Sequence, residues 1–217
     1  MEDHELFKYV DHTLLKVDAT WPEIQVLCDE ALSFKTASVC IPPCYVRKAA
    51  EYLAGRIKVC TVVGFPNGNS CSIVKAYETS DAVKNGADEI DMVINIGQLK
   101  AGNSAYVLDE IRQVRAACLG KVLKVIIEAC LLTEAEKIEM CRLVTEAEAD
   151  FIKTSTGFST GGATFDDVRL LKANVGPGVQ VKAAGGISTL EDAKQFIALG
   201  ATRLGTSRIV KLVQAKG

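Results

Sequence analysis

From one end to the other, the chain alternates short runs rich in β-branched and apolar residues with longer stretches of helical periodicity. The strand-like runs are Tyr9–Leu14, Thr36–Ile41, Lys58–Val63, Glu89–Asn95, Val122–Glu128, Phe151–Thr156, Val179–Ala184 and Arg203–Thr206. Between them lie amphipathic helices such as Trp21–Ser33, which follows a Thr20 cap and carries Pro22 in its first turn. Thr133-Glu134-Ala135-Glu136 opens another with a capping-box pattern. Gly55, Gly86, Gly120, Gly176 and Gly200 each sit where a helix should stop. Eight βα units without a linker or a low-complexity tract predict an α/β fold, a single-domain (β/α)8 TIM barrel over residues 1–217. A doubly wound dinucleotide fold would carry Gly-x-Gly-x-x-Gly after its first strand, and none stands there.

Composition removes several function classes. The net charge of −2 and the lack of a basic run argue against nucleic acid as a partner. No apolar run approaches the ~20 residues of a membrane span, so no membrane partner is expected. The opening Met-Glu-Asp-His-Glu lacks the pattern of a secretory signal, which predicts a cytoplasmic protein. The eight cysteines, at 28, 40, 44, 60, 71, 118, 130 and 141, form no Cys-x-x-Cys pair. They read as reduced, mostly packed thiols, Cys40 included, rather than disulfides or a zinc site. His4 and His12 are the only histidines, so neither a metal nor a histidine triad is expected, and no cofactor is implied.

Three charged residues interrupt otherwise apolar strands: Asp91, Lys153 and Lys182. Strand side chains alternate faces. If Val179, Val181 and Ala183 meet the helices, Lys182 points into the barrel. By the same alternation Ile152 and Thr154 point out and Lys153 in, while Ile90, Met92 and Ile94 point out and Asp91 in. A weak internal repeat relates Gly86–Asp91, Glu148–Lys153 and Gly200–Gly205, with a poorer match at Lys35–Cys40. It puts Cys40, Asp91, Lys153 and Gly205 at one depth on the even strands, so that they share a layer with Asp91 facing Lys153.

A buried lysine must find a partner or give up its proton, and a second cation nearby favours the neutral amine. Two lysines and an aspartate in one interior therefore suggest amine catalysis, with one lysine attacking a carbonyl, the other tuning it, and Asp91 moving protons. Spacing alone leaves open which lysine attacks. It also leaves open a plain structural ion pair. A second constellation follows the last strands. Gly185-Gly186 leaves the seventh strand, Gly205-Thr206-Ser207 ends the eighth, and Thr156-Gly157 follows the sixth. Backbone N–H groups in such loops suit a phosphate, although two ordinary βα turns would read the same way. The two sites together fit a small phosphorylated carbonyl compound. Asp11-His12-Thr13 is expected to face the same mouth in a substrate or supporting role, and Glu128 is read as a pocket or rim carboxylate. The loop Phe65-Pro66-Asn67-Gly68-Asn69 is expected to help cover the site.

Phe-Ile-Lys-Thr-Ser-Thr-Gly, Val-Lys-Ala-Ala-Gly-Gly-Ile, Glu-Ile-Asp-Met-Val-Ile-Asn and the opening Asp-His-Thr-Leu-Leu together resemble the deoxyribose-phosphate aldolase family nearly end to end. The resemblance implies a class I aldolase on a TIM barrel, without metal. The reaction would be reversible cleavage of 2-deoxy-D-ribose 5-phosphate to acetaldehyde and D-glyceraldehyde 3-phosphate, in deoxynucleotide catabolism. It puts the Schiff-base lysine at Lys153, the lysine that tunes it at Lys182 and the proton-relay aspartate at Asp91. The phosphate positions fall on Thr156, Gly157, Gly185, Gly186, Gly205 and Ser207. Some family members carry a phosphate-holding lysine just after the Thr-Ser-Thr-Gly turn, where this chain has Phe158. Some end in a tail with a tyrosine that assists proton transfer, where this chain reads Ala215-Lys216-Gly217. Rival readings are another Schiff-base barrel, transaldolase-like or acting on a different phosphosugar, and a phosphosugar-binding barrel without catalysis. No motif encodes oligomeric state, and a homo-oligomer is compatible with the sequence.

Overall fold

The computed structural model describes residues 2–214. Eight strands pair in parallel in chain order: β1 (Val10–Thr13), β2 (Ser38–Ile41), β3 (Lys58–Val63), β4 (Glu89–Val93), β5 (Val122–Ile126), β6 (Phe151–Lys153), β7 (Gln180–Ala184) and β8 (Ala201–Thr206). Pairing of β8 with β1 closes the barrel. Outside it run α1 (Trp21–Phe34), α2 (Val46–Leu53), α3 (Ser72–Lys84), α4 (Ile96–Lys100), α5 (Ser104–Ala117), α6 (Glu134–Glu146), α7 (Phe165–Asn174), α8 (Leu190–Ala198) and α9 (Ile209–Gln214).

Local chemistry starts these helices where the sequence signals them. Glu23 accepts from the Thr20 N–H at 2.7 Å ahead of α1, and Glu136 accepts from the Thr133 N–H at 2.7 Å ahead of α6. Thr164 and Thr189 cap α7 and α8 by accepting from the N–H groups of Asp167 and Asp192, each at 3.0 Å. Gly86 and Gly200 follow helix ends with φ of 105° and 107°, a left-handed conformation that glycine adopts without steric cost. Gly176 behaves differently. Val175, after α7, is extended, and Gly176 is small because a Cβ there would meet Thr145 at 2.4 Å.

The runs expected to reach Asn95, Glu128 and Thr156 leave the sheet at Val93, Ile126 and Lys153. Each makes one further bond to its neighbour: Ile94 N–H to Ile126 O, Ile127 N–H to Lys153 O, and Thr154 N–H to Lys182 O. The chain then turns across the barrel's C-terminal end, and Glu128 takes up φ 51° to do so.

Two separate apolar clusters result. Outward residues such as Ile90, Met92, Leu123, Val125, Ile152 and Val181 pack against the helices in one continuous core. Each fully buried side chain of this kind contributes roughly 1.5–3 kcal/mol. Inside the barrel the apolar material is sparse: Cys40, Cys60 and Val62, with Leu15 and Phe65 against them. The interior positions, Cys40, Cys60 and Val62 included, form layers fixed by the strand register. Advancing one residue per strand around the pairing returns to the starting residue, as an eight-stranded barrel of shear 8 requires. The innermost layer is Ser38, Glu89, Phe151 and Arg203. Above it come Asp11, Cys60, Lys124 and Lys182, then Cys40, Asp91, Lys153 and Gly205, and at the mouth Thr13, Val62, Ile126 and Ala184. The layer expected from the internal repeat is the third of these. A register shift between Val181 and Lys182 against β8 skips Thr202, which turns Arg203 into the barrel.

Candidate functional site

Asp91 is the hub of the barrel interior. Its Oδ2 accepts from Lys153 Nζ at 2.8 Å and from Lys182 Nζ at 2.7 Å. Its Oδ1 accepts from Lys124 Nζ at 2.7 Å and from the Cys60 thiol at 3.2 Å. Lys182 also donates to Asp11, whose other oxygen accepts from Ser38 Oγ at 2.7 Å and from Arg203 at 2.6 Å. Glu89 pairs with Lys124 at 2.7 Å and with Arg203 at 2.8 Å. The two lysines named from the sequence thus share one carboxylate oxygen. Both point inward with Asp91, and Asp91 faces Lys153 as expected.

Burial acts to raise the Asp91 carboxyl, but the Lys124, Lys153 and Lys182 ammonium groups outweigh it and hold Asp91 well below the usual carboxylate range. Asp11 is likewise driven up by burial and held down by Lys182, Lys124 and Arg203. Burial favours a neutral Lys182, yet Asp11 and Asp91 keep its ammonium above the ordinary lysine range. Lys124 is held up in the same way, against burial, chiefly by Asp91. The Cys60 thiol is pushed well up by burial, which keeps it a donor. Four cations (Lys124, Lys153, Lys182 and Arg203) face three carboxylates (Asp11, Glu89 and Asp91), so the interior holds one surplus positive charge when all are ionised.

Lys153 differs from its neighbours in reaching a cavity of about 340 Å³ at the C-terminal end of the strands. It is 3% exposed, whereas Lys124 and Lys182 are 0% exposed. Thr156, Gly157, Gly185, Gly186, Gly205 and Ser207, the residues picked out from the loops, all line this cavity. Glu128 shapes its β6 side. The carboxylate accepts from the Thr156 N–H at 3.2 Å and from Thr156 Oγ1 at 2.5 Å, while Thr156 Oγ1 accepts from the Phe158 N–H at 3.0 Å. Glu128 is therefore neither a solvated rim carboxylate nor a free pocket group. At 2% exposed it is spent on holding the turn. The β6 loop also leans on the β7 loop: Ala163 N–H donates to Ala184 O and Gly185 O, and a Cβ on Gly162 would lie 2.5 Å from the Gly185 carbonyl carbon. Phe65 stacks edge-on against Phe158 at 5.3 Å, which brings the β3 loop over the mouth as expected.

Asp11, His12 and Thr13 do not all face the mouth. Alternation puts Asp11 in the lysine layer and Thr13 at the mouth but turns His12 outward, where Nε2 lies 2.7 Å from Glu30 of α1. Four partners of the network escaped the sequence reading: Asp11 as an ion-pair partner, Glu89, Lys124 and Arg203. Lys124 could have been found, because Val122-Leu123-Lys124-Val125-Ile126 alternates as the Lys182 strand does. Glu89 and Arg203 open their strands, where a charge ordinarily reads as rim, and only the closed register takes them inside. Among the described residues, Cys40, Cys60 and Asp91, and Asp11, Cys60 and Glu89, bring potential metal ligands within 4.8 Å. Their carboxylates are already neutralised by lysine or arginine, so a metal ion would have to displace those cations. The tail at 215–217 lies outside the described residues.

Comparisons with known proteins agree with one another. Residues 6–207 match the model of the DeoC/LacD family aldolases. A deoxyribose-phosphate aldolase of Streptococcus agalactiae is 60% identical over 214 residues, which is 99% of this chain and 96% of that protein. One from Streptococcus pyogenes matches at the same identity and coverage. Among solved structures, the aldolase QR15 superimposes with a TM-score of 0.92 at 36% identity, covering 98% of this chain and 97% of that one. The deoxyribose phosphate aldolase of Aeropyrum pernix, a tetramer, superimposes with a TM-score of 0.89 at 30% identity, covering 99% and 92%.

Proposed function

The chain belongs to the DeoC/LacD family of aldolases, and from that premise we propose that it reversibly cleaves 2-deoxy-D-ribose 5-phosphate to acetaldehyde and D-glyceraldehyde 3-phosphate through a Schiff base on Lys153. The observation that carries this reading is the placement of Lys153. It alone of the three interior lysines reaches the cavity, and it shares Asp91 Oδ2 with Lys182. Lys182 has two carboxylates holding its proton and Lys124 has three within ion-pair distance, whereas Lys153 has one, already shared. Asp11 and Asp91 hold the Lys182 ammonium, and Asp91 chiefly holds that of Lys124, while the Lys153 amine is the one placed where a substrate carbonyl can meet it. That supports Lys153 as nucleophile and Lys182 as the standing cation beside it.

In this reaction the neutral Lys153 amine attacks the substrate aldehyde, and loss of water leaves a protonated Schiff base. That cation accepts the electron pair when the C2–C3 bond breaks. The C3 hydroxyl proton leaves through water hydrogen-bonded to Asp91, and D-glyceraldehyde 3-phosphate departs. The remaining enamine takes a proton at carbon, water adds to the imine, and acetaldehyde leaves with the amine restored. Asp91, held strongly ionised, serves chiefly to orient donors and to steady the positive charge that moves between Lys153 and the imine. Gly157, Gly185, Gly186, Gly205 and Ser207 would hold the phosphate with backbone N–H and hydroxyl groups, while Thr156, whose N–H and hydroxyl both donate to Glu128, would set the turn that presents them. No described helix is long and apolar enough to cross a membrane. Eight free cysteines and a soluble phosphorylated substrate fit a cytoplasmic enzyme.

The test is a substrate panel assayed for release of acetaldehyde, with wild type and Lys153→Leu side by side. The expected result is turnover of 2-deoxy-D-ribose 5-phosphate by the wild type and loss of it, by at least about 10³-fold, in the variant. Preference for a ketose phosphate donor, or turnover retained by Lys153→Leu, would contradict the reading.

A further inference from the structure

The cavity above Lys153 is lined by three cations, Lys16, Lys153 and Arg208, and by no carboxylate. Lys153 is bound to Asp91, but Lys16 and Arg208 are exposed and form no ion pair among the described residues. Arg208 is unusual within this chain. Of the eight arginines, the other seven each donate a side-chain hydrogen bond: Arg47 to Asn85, Arg56 to Leu53, Arg112 and Arg142 to glutamates, and Arg115, Arg169 and Arg203 to aspartates. Among the described residues Arg208 alone has no side-chain acceptor. Its backbone is nonetheless fixed, because its N–H donates to Thr206 Oγ1 at 3.1 Å. The opposite wall is apolar. Phe158 stands one residue past Gly157 and is packed against Phe65, so the β6 loop brings no charge to the cavity. Positive charge enters instead from the loops after β1 and β8, which are neighbouring strands.

We propose that Arg208, assisted by Lys16, is the residue that selects a phosphorylated substrate over the neutral sugar in this chain. The assignment rests on the phosphosugar aldolase reading and adds to it the source of the charge. Backbone N–H groups and hydroxyls fix where an anion sits, but they also satisfy neutral acceptors. A guanidinium with no internal partner distinguishes a phosphomonoester dianion from a hydroxyl, and its planar fork suits two phosphate oxygens at once. Lys16, a point charge on a flexible stem, adds attraction with less geometric demand.

The experiment is steady-state kinetics of wild type, Arg208→Ala, Arg208→Gln and Lys16→Ala on 2-deoxy-D-ribose 5-phosphate and on unphosphorylated 2-deoxyribose, at low and high ionic strength. Loss of one charged hydrogen bond to phosphate should raise KM for the phosphorylated sugar about 10- to 100-fold in both Arg208 variants, with kcat little changed. Lys16→Ala should raise it less. Turnover of the neutral sugar should be unaffected by all three, and the salt dependence of KM should weaken in the Arg208 variants. Inhibition by inorganic phosphate should weaken in parallel. An unchanged KM for the phosphorylated sugar in an active Arg208→Ala enzyme would overturn the assignment while leaving the aldolase reading intact, as would equal losses on the two sugars. A wild type that turns over neither sugar would overturn the aldolase reading and the assignment with it.

Discussion

Asp91 accepts four hydrogen bonds, three of them from ammonium groups, so removing any one of these lysines takes a charge-assisted bond from a buried carboxylate. Lys124 shows this most sharply, since it lies inside the barrel and does not reach the cavity. Lys124→Met would leave Asp91 Oδ1 with the Cys60 thiol alone and Glu89 with Arg203 alone, and losing such charge-assisted buried bonds costs about 1.5–3 kcal/mol. Urea denaturation should register that loss, together with a lower kcat. A change under about 1 kcal/mol would mean that Lys124 is dispensable to the network. The sign of the pH effect follows from the carboxylates. Asp11 and Asp91 are held below their unfolded values, so their contribution is fully present above the unfolded carboxylate range and lost as pH falls through the folded values. Thermal melts should therefore show no decline from this network between about pH 5 and 8, and a decline only below about pH 4. His12 is the opposite case in site but not in sign. Burial lowers it despite the Glu30 bond, so protonation favours the unfolded chain as pH falls through the range near 6.5. His12→Gln should flatten the small loss of stability between about pH 7 and 5, and an unchanged slope would place that loss elsewhere.

At the scale of elements, the site is a matter of where strands stop and how loops rest on one another. The β6 and β7 loops touch backbone to backbone at Gly162 and Gly185, a contact that a side chain at 162 would force apart. Gly162→Ala should displace Gly185 and Gly186 and raise KM for the phosphorylated sugar about 10- to 100-fold, as small misplacements of binding groups do. Circular dichroism should still report a folded barrel. An unaltered KM would show that the Gly185-Gly186 turn does not hold the substrate. Much of this was legible in the chain. Lys58–Val63 is a strand with the bounds read from the sequence, the Thr20 and Thr133 caps open their helices, and alternation aimed Lys153, Lys182 and Asp91 correctly. The illegible parts share a cause. Strand ends near Asn95, Glu128 and Thr156 depend on where the neighbouring strand stops offering partners, which no single run can state. The inward turn of Arg203 depends on the shift that skips Thr202, and Glu128 on a left-handed backbone that its side chain does not announce.

The whole molecule separates two tasks between two faces of one sheet. The outer face, with its ring of helices, carries the apolar burial that stabilises the fold. The inner face is thereby free to hold four basic and three acidic side chains that would be costly in an ordinary core. A rigid closed sheet keeps Lys153 and Lys182 on one oxygen of Asp91, while the strand ends lead from that oxygen to a cavity without carboxylates. The direct test is to reduce the enzyme with borohydride in the presence of acetaldehyde and map the modified peptide by mass spectrometry. The predicted result is a single ethyl adduct on Lys153, coincident with loss of activity. An adduct on Lys124 or Lys182, or inactivation without any adduct on Lys153, would contradict it.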